Sequence, residues 1–182
     1  KAFLSVSVIK PSIDHTKLAY LQNEDGSDRY TLYIRDLITG TLLAEHIENV
    51  CIGGSLEWAT NDYLFYVTVD EKQRPYKLHR HYLGETNDTL VHEERDEAFF
   101  VSISKSDSGA FLFANLGSMD TSEVHFLSAK NPLQDWRMFA ARNKGVRYSL
   151  EHHENNFLIT TNENAINFKL LSTPVDNIGR EH

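Results

Sequence analysis

Short runs of apolar residues recur along the chain at a nearly constant interval, and polar turn residues separate them. The most apolar runs begin at Leu18, Leu64, Phe111 and Phe157, so successive runs are 46, 47 and 46 residues apart. A repeat of this length, built from short strands and turns, is typical of a β-propeller, in which each repeat forms one four-stranded blade. The pattern therefore predicts an all-β chain made of four consecutive copies of one unit.

Within each unit, further segments alternate between apolar and polar residues, as strands exposed on one face do. Residues 64–67 are instead apolar at every position, which favours a strand buried on both faces between neighbouring blades. The predicted strands are 4–9, 18–21, 30–36 and 42–47 in the first unit, 56–58, 63–69, 76–82 and 90–93 in the second, 99–104, 111–114, 123–128 and 136–140 in the third, and 147–151, 157–161 and 165–171 in the fourth. The fourth unit lacks most of its outer strand, and no segment has the 3.6-residue apolar period of an amphipathic helix.

The repeats divide the chain into blades at approximately residues 1–48, 49–94, 95–141 and 142–182. A closed propeller has about four to eight blades around one axis, and closure leaves no blade face exposed at an end. The chain begins inside a strand pattern and ends in an incomplete blade, so we expect an open arc of a larger propeller. The apolar blade faces at the two ends of such an arc favour self-association.

Composition argues against several classes of function. A net charge of −8 disfavours nucleic acid and anionic membranes as partners, because both require a basic surface. No apolar run approaches the length of a membrane-spanning helix. The single cysteine, Cys51, cannot form an internal disulfide, and its apolar, glycine-rich surroundings are typical of a structural thiol. A lone thiol is usual in a reducing compartment, so we expect a cytoplasmic protein.

Few residues suggest catalysis or metal binding. Residues 53–57 begin like the nucleophile elbow of a hydrolase, but Glu57 stands where that motif requires a closing glycine. His79 and His81 are spaced to share one face of a strand, and His92 could lie opposite them, so a metal site is an alternative to a polar strand surface. No carboxylate stands at a spacing that would complete such a site. We expect no catalytic residue, no metal ion and no cofactor in this chain.

Carboxylates are concentrated in the predicted turns between the second and third strands of the blades. These turns carry Glu24, Asp25 and Asp28, then Asp70 and Glu71, then Asp120, and then Glu163. Because equivalent turns emerge at the same end of a propeller, we expect this end to be acidic and to attract cationic peptides. The candidate residues for this steering are Asp25, Asp28, Asp70 and Glu71. A set of solvated turn residues is the favoured interpretation, since Asp favours turns for local hydrogen-bonding reasons, and steering of peptides is the competing hypothesis.

Four longer runs of sequence resemble the propeller of the prolyl oligopeptidase family. Residues 25–40 resemble the family in general, whereas residues 70–84, 93–100 and 161–170 resemble its oligopeptidase B branch. The narrower resemblance rests on the runs Arg-Pro-Tyr-Lys and Thr-Asn-Glu-Asn-Ala-Ile-Asn-Phe, which fall in different blades in the order that the family shows. The similarity spans nearly the full chain. One departure is Ile13, where the family usually has proline between Ser and Asp.

The resemblance implies a seven-bladed propeller covering an α/β-hydrolase domain whose Ser-Asp-His triad cleaves short peptides after Arg or Lys. The triad belongs to the hydrolase domain, which we expect to lie outside this chain together with the remaining blades. The implied partners are these missing parts and, in the intact enzyme, short basic peptides, with the propeller restricting access by size. Arg74 and Arg80 are expected to form structural ion pairs, with substrate binding as the alternative. A non-enzymatic propeller that binds other proteins is the alternative, because the fold alone permits both.

Overall fold

A computed structural model describes residues 3–178 of the chain, and all regular structure in this range is β-strand. The strands are β1 (Ser5–Pro11), β2 (Lys17–Asn23), β3 (Tyr30–Asp36), β4 (Leu42–Val50), β5 (Leu56–Trp58), β6 (Tyr63–Val69), β7 (Pro75–Tyr82), β8 (Thr89–Glu93), β9 (Phe100–Lys105), β10 (Phe111–Gly117), β11 (Ser122–Ser128), β12 (Arg137–Ala140), β13 (Tyr148–His153), β14 (Asn156–Thr161) and β15 (Lys169–Pro174). The all-β prediction is confirmed.

Consecutive strands pair antiparallel and form four meanders, which we call the first to fourth blades. They consist of β1–β4, β5–β8, β9–β12 and β13–β15. One pairing between Val50 of β4 and Thr68 of β6 joins the first two blades into a single eight-stranded sheet. This meander is the strand order of propeller blades, and the propeller prediction is confirmed. In residues 3–178 the fourth blade has three strands, in agreement with its incomplete repeat.

Several strands extend beyond or begin away from their predicted limits, and two of these differences affect the division into blades. β4 continues to Val50, two residues past the approximate limit of the first blade, and the limits at Lys1 and His182 lie outside the described residues. The blade limits stay predictions. The third strand of the fourth blade begins at Lys169, not at residue 165.

Two successive turns replace the beginning of that predicted strand. The amide of Ala165 donates to the carbonyl of Asn162, and the amide of Phe168 donates to the carbonyl of Ala165. Asn164 and Phe168 have φ angles of 52° and 62°, which belong to the left-handed region and interrupt a strand. Alternating apolar residues in this segment suggested a strand, but Ile166 is 93% exposed, so the segment does not bury an apolar face.

The hydrophobic cores lie between neighbouring blades. Along β6, Leu64 and Tyr66 pack against the first blade, whereas Phe65 and Val67 pack against the third blade. Successive side chains of a strand point to opposite faces, so a run of four apolar residues is buried on both sides. The expectation that residues 64–67 are buried between two blades is confirmed.

An aromatic cluster joins the third and fourth blades. Phe157 of β14 is fully buried, and its ring centroid lies 5.0 Å from that of Phe111 and 4.9 Å from that of Phe126. The rings of Phe113 and Phe139 lie 6.0 Å from it. The edge-to-face arrangement of these rings is favourable beyond the area that they bury. Phe157 therefore anchors the fourth blade.

Hydrogen bonds between blades link the first strands. The indole Nε1–H of Trp58 in β5 donates to the carbonyl of Lys10 in β1 at 3.0 Å, and the Lys105 ammonium of β9 donates to the carbonyl of Trp58 at 2.9 Å. Lys10 also pairs with Glu57 at 2.7 Å. Burial lowers the pKa of Lys105, opposed by the charge of Glu57. These contacts set the spacing between the first strands of three successive blades.

Replacing Phe157 by alanine is expected to lower the free energy of unfolding by about 3–5 kcal/mol, because a buried aromatic side chain is lost and a cavity remains. Urea denaturation followed by circular dichroism measures this change. Leu170→Ala is the control: this side chain is 67% exposed, and its loss should change stability by less than about 0.5 kcal/mol. Equal losses for the two variants contradict the anchoring role of Phe157.

Candidate functional site

The turns between second and third strands and the connections between blades lie at the same end of the propeller. In the first blade, β2 and β4 are each antiparallel to β3, so they run in the same direction and end on the same side. We call this side the connection end. It comprises residues 24–29, 51–55, 70–74, 94–99, 118–121, 141–147 and 162–168. The topology therefore places all four candidate steering residues, Asp25, Asp28, Asp70 and Glu71, at one end.

The turn of the first blade is organised by a buried amide. Asn23 donates from Nδ2 to the carbonyl of Ser27 at 2.6 Å, and its Oδ1 accepts the amide of Gly26 at 2.8 Å. The amide of Ser27 also donates to the Asp25 carboxylate at 2.8 Å, and this bond lowers the pKa of Asp25. Asp25 and Asp28 are both exposed, so both carboxylates face solvent at this turn.

Asp70, in the turn of the second blade, is already bonded within its own turn. Its carboxylate accepts the amides of Arg74 at 2.9 Å and Lys72 at 2.8 Å, and it pairs with the Arg74 guanidinium at 3.3 Å. Chiefly the amide bond from Arg74 lowers the pKa of Asp70, and burial opposes this shift. Asp70 is thus less accessible than its neighbour Glu71, which is exposed.

Arg74 also holds the connection between the second and third blades. Its guanidinium donates to the carbonyls of Glu94 at 3.2 Å, Asp96 at 3.1 Å and Phe99 at 3.1 Å. The expected structural ion pair of Arg74 is confirmed by its contact with Asp70. The same expectation for Arg80 is wrong among the described residues.

Arg80 instead bridges the second and third blades through neutral partners. Its guanidinium donates to the carbonyl of Pro132 at 3.0 Å and to the hydroxyl of Thr89 at 3.4 Å. Pro132 lies in the turn between β11 and β12, at the opposite end from Asp70, and Arg80 reaches it because β7 runs away from the connection end. Arg80 is close to Asp70 and Glu71 in the sequence, but it lies near the far end of β7, away from both carboxylates.

A second arginine clamps the same connection from the next blade. Arg142 contacts the carboxylates of Glu94 and, at 3.3 Å, Glu123. Its guanidinium carbon lies 3.8 Å from the centre of the Phe99 ring. Both carboxylates are largely buried, so these charges are paired inside the structure and do not contribute freely to the surface.

Basic residues offset part of the expected acidity of the connection end. Residues 141–147 contain three cationic side chains and no carboxylate. The cationic residues of this end are Arg29, Lys72, Arg74, Arg95, Arg142, Lys144 and Arg147. The exposed acids are densest at the first-blade turn, whereas the connection between the third and fourth blades is basic. The sequence prediction considered only the turns between second and third strands. It missed the basic region because the connections between blades lie at the same end.

The three histidines considered for a metal site do not converge. His79 stacks on Tyr66 with ring centroids 5.0 Å apart, and His81 lies 2.7 Å from the carboxylate of Asp88. His92 lies on the other face of the blade, next to His125 of the third blade. Among residues 3–178, no three His, Cys, Asp or Glu side chains are placed to hold a metal ion.

The remaining nucleophile candidates have structural surroundings. Ser55 is buried, so its hydroxyl is not accessible to solvent. The Cys51 sulfur accepts a hydrogen bond from the amide of Gly53 at 3.4 Å. Cys51 packs against the core between the second and third blades. In the part of the chain that the structure describes, no helix is both long and apolar enough to cross a membrane.

Comparisons with known proteins agree with this geometry. The family model for the prolyl oligopeptidase N-terminal β-propeller domain matches residues 1–182. Protease 2 of Moraxella lacunata is 48% identical over 179 residues, which are 97% of this chain and 26% of that protein. Dipeptidyl aminopeptidase BI of Pseudoxanthomonas mexicana is 31% identical over 100% of this chain and 25% of its own length.

Two solved structures superpose closely. Oligopeptidase B from Leishmania major has a TM-score of 0.86 and 29% identity, covering 96% of this chain and 25% of that one. Oligopeptidase B from Trypanosoma brucei, in a closed form with covalently bound antipain, has a TM-score of 0.86 and 28% identity, covering 99% of this chain and 26% of that one. The chain thus spans about a quarter of the length of these relatives. It belongs to the N-terminal β-propeller domain family of the prolyl oligopeptidases and is a homologue of oligopeptidase B.

Proposed function

We propose that this chain is part of the propeller of a cytoplasmic serine oligopeptidase that cleaves short peptides after Arg or Lys. The observation that carries the proposal is the 48% identity to Protease 2 across nearly the whole chain. The structural match to two oligopeptidase B enzymes supports it. A non-enzymatic binding module has no comparable support, because these relatives are named as peptidases.

The catalytic residues belong, in this proposal, to an α/β-hydrolase domain outside the chain. The relatives are about four times as long as this chain, which leaves room for that domain and for the further blades of a seven-bladed ring. The hydrolase domain and the remaining blades are then the partners of the open blade faces. The blades act on the reaction only by controlling what reaches the nucleophile.

The proposed gate works by size and by charge. Blades that share buried cores resist separation, so a folded protein is excluded while a short flexible peptide passes. Exposed carboxylates at the turns of the first two blades attract cationic peptides, and salt weakens this attraction. Asp25, Asp28 and Glu71 are the best exposed of the proposed steering residues, whereas Asp70 also organises its turn.

The chain alone is expected to show no turnover of an Arg-containing chromogenic peptide, whereas the intact protein should hydrolyse it. The physical reason is that the nucleophile and its base lie outside the chain. An inhibitor that acylates serine should abolish the activity of the intact protein. Turnover by the isolated chain at a rate proportional to its concentration contradicts this division of labour.

Neutralising three exposed acids tests the proposed steering. In the intact protein, Asp25→Asn, Asp28→Asn and Glu71→Gln together are expected to lower kcat/KM for a dibasic peptide about threefold at low salt. The loss should shrink at high salt, because counter-ions screen exposed charges. The measurement is kcat/KM against ionic strength.

The control for this experiment removes the same number of charges from the opposite end of the blades. Asp62→Asn, Glu85→Gln and Asp135→Asn change the net charge equally but leave the connection end intact. This control should retain the wild-type kcat/KM. Equal losses in both triple variants contradict steering by the connection end and indicate an effect of net charge alone.

A further inference from the structure

Between the first and second blades, two neighbouring buried side chains each have a polar atom without a hydrogen-bond partner among the described residues. These atoms are Oε2 of Glu45, on β4, and Nε2 of His81, on β7. The side chains are 7% and 3% exposed. Both line a cavity of about 250 Å³ between β4 and the turn that joins β7 to β8. A buried polar atom without a hydrogen-bond partner destabilises the folded state, so the presence of these two atoms needs a physical explanation.

The surrounding contacts fix the position of both groups. Oε1 of Glu45 accepts the amide of Gly84 at 2.9 Å, which ties β4 to the turn of the second blade. Nδ1 of His81 lies 2.7 Å from Oδ1 of Asp88, and its Nε2 lies 3.9 Å from Oε1 of Glu45. The imidazole therefore stands between two carboxylates that come from different blades.

Asp88 is held in its ionised form. Burial opposes ionisation, but hydrogen bonds from His81 and Tyr66 outweigh it, and the pKa of Asp88 is lowered. Burial and the bond to Asp88 raise the pKa of Tyr66, so its hydroxyl remains the donor to Asp88. Because Asp88 is ionised, its Oδ1 can only accept a hydrogen bond. Nδ1 of His81, 2.7 Å away, must therefore carry the hydrogen.

A neutral imidazole then has no hydrogen-bond donor for its other nitrogen, Nε2. With its hydrogen on Nδ1, neutral His81 presents a lone pair on Nε2 toward the carboxylate of Glu45, and two acceptors face each other. The imidazolium form has N–H donors at both nitrogens and meets a carboxylate on each side. At 3.9 Å, Nε2 is beyond hydrogen-bond distance of Glu45, but the charge of the protonated ring is attracted to the carboxylates on both sides.

A metal ion does not account for the site equally well. Two side chains offer free ligand atoms here, and within residues 3–178 no third His, Cys, Asp or Glu completes the set. Zinc sites in proteins use three or four protein ligands. A proton needs only the two acceptors that are present.

We propose that His81 is held as an imidazolium between Glu45 and Asp88 and forms a proton-dependent latch that ties the first blade to the second. The latch matters because β4 pairs with β3 along its length but with the second blade only at Val50, opposite Thr68, so contacts between the rest of β4 and the second blade depend on side chains. Loss of the proton replaces an attraction to Glu45 by a repulsion. Raising the pH is therefore expected to loosen the contact between β4 and the turn of the second blade.

The other titratable groups near the latch do not duplicate it. His79, on the same face of β7, stacks on Tyr66, and burial lowers its pKa, opposed by the charge of Asp88. Glu85 lines the cavity from the turn and is exposed, and His46 follows Glu45 on β4 and is exposed. Glu85 therefore offers a matched control for Glu45.

The sign of the expected pH dependence follows from which form has partners. The imidazolium gains its two carboxylate partners only when the protein is folded, so its contribution to stability is present at low pH and is lost as pH rises. Between about pH 5.5 and pH 8.5, the range in which histidines titrate, the contribution of the latch to the folding equilibrium constant is expected to fall about tenfold, whereas His79 and His92, whose pKa values burial lowers, contribute in the opposite direction. Urea denaturation of the purified protein at each pH measures it.

Glu45→Gln is the decisive variant. Its amide oxygen can still accept the amide of Gly84, and its NH₂ group can donate to Nε2 of neutral His81. We expect the stability advantage of the wild type over this variant to shrink about tenfold, in the folding equilibrium constant, across the same range. Glu85→Gln, which removes an equal charge from the same cavity, should keep the wild-type profile.

A spectroscopic measurement keeps the test decisive even if Glu45→Gln folds poorly. Ring ¹⁵N chemical shifts of His81 in the wild-type protein at about pH 6 should show both nitrogens protonated. His81 signals typical of the neutral ring at that pH overturn the proposal. Parallel stability profiles for the wild type, Glu45→Gln and Glu85→Gln overturn it as well.

Discussion

Burial of both faces of the second strands is the constraint on which the rest of the structure depends. Phe65 and Val67 pack against the third blade, while Leu64 and Tyr66 pack against the first, so one strand belongs to two cores. In residues 3–178 no helix covers a blade, and neighbouring blades cover each other. The positions of the turns, and of the charges on them, follow from this packing.

Much of the fold could be predicted because its determinants are local and periodic. The interval between apolar runs and the uninterrupted run at 64–67 encode strands buried on two sides. The error at residues 165–168 has a physical origin. Alternation there suggested a strand, but the backbone of Asn164 and Phe168 turns through positive φ angles and leaves Ile166 in solvent. Periodicity does not reveal such turns.

The candidate site was less accessible from sequence because its important contacts are not local. The strand order alone places Asp25 and Asp70 at one end. It does not show that Arg142 pairs with Glu94 and Glu123, which are distant from it in the sequence. Asp88 reaches His81 only because a turn folds back, and Glu45 comes from a different blade. No spacing rule anticipates either contact. The sequence therefore indicated where charges gather but not which of them are already paired.

We propose above all that, in the intact protein, these blades restrict a peptidase to short, flexible substrates. The most direct measurement compares, in the intact protein, cleavage of a short Arg-containing peptide with cleavage of the same residues placed in a loop of a stable folded protein. The account predicts efficient cleavage after Arg in the free peptide and no detectable cleavage in the folded host. Comparable rates for the two substrates would contradict it.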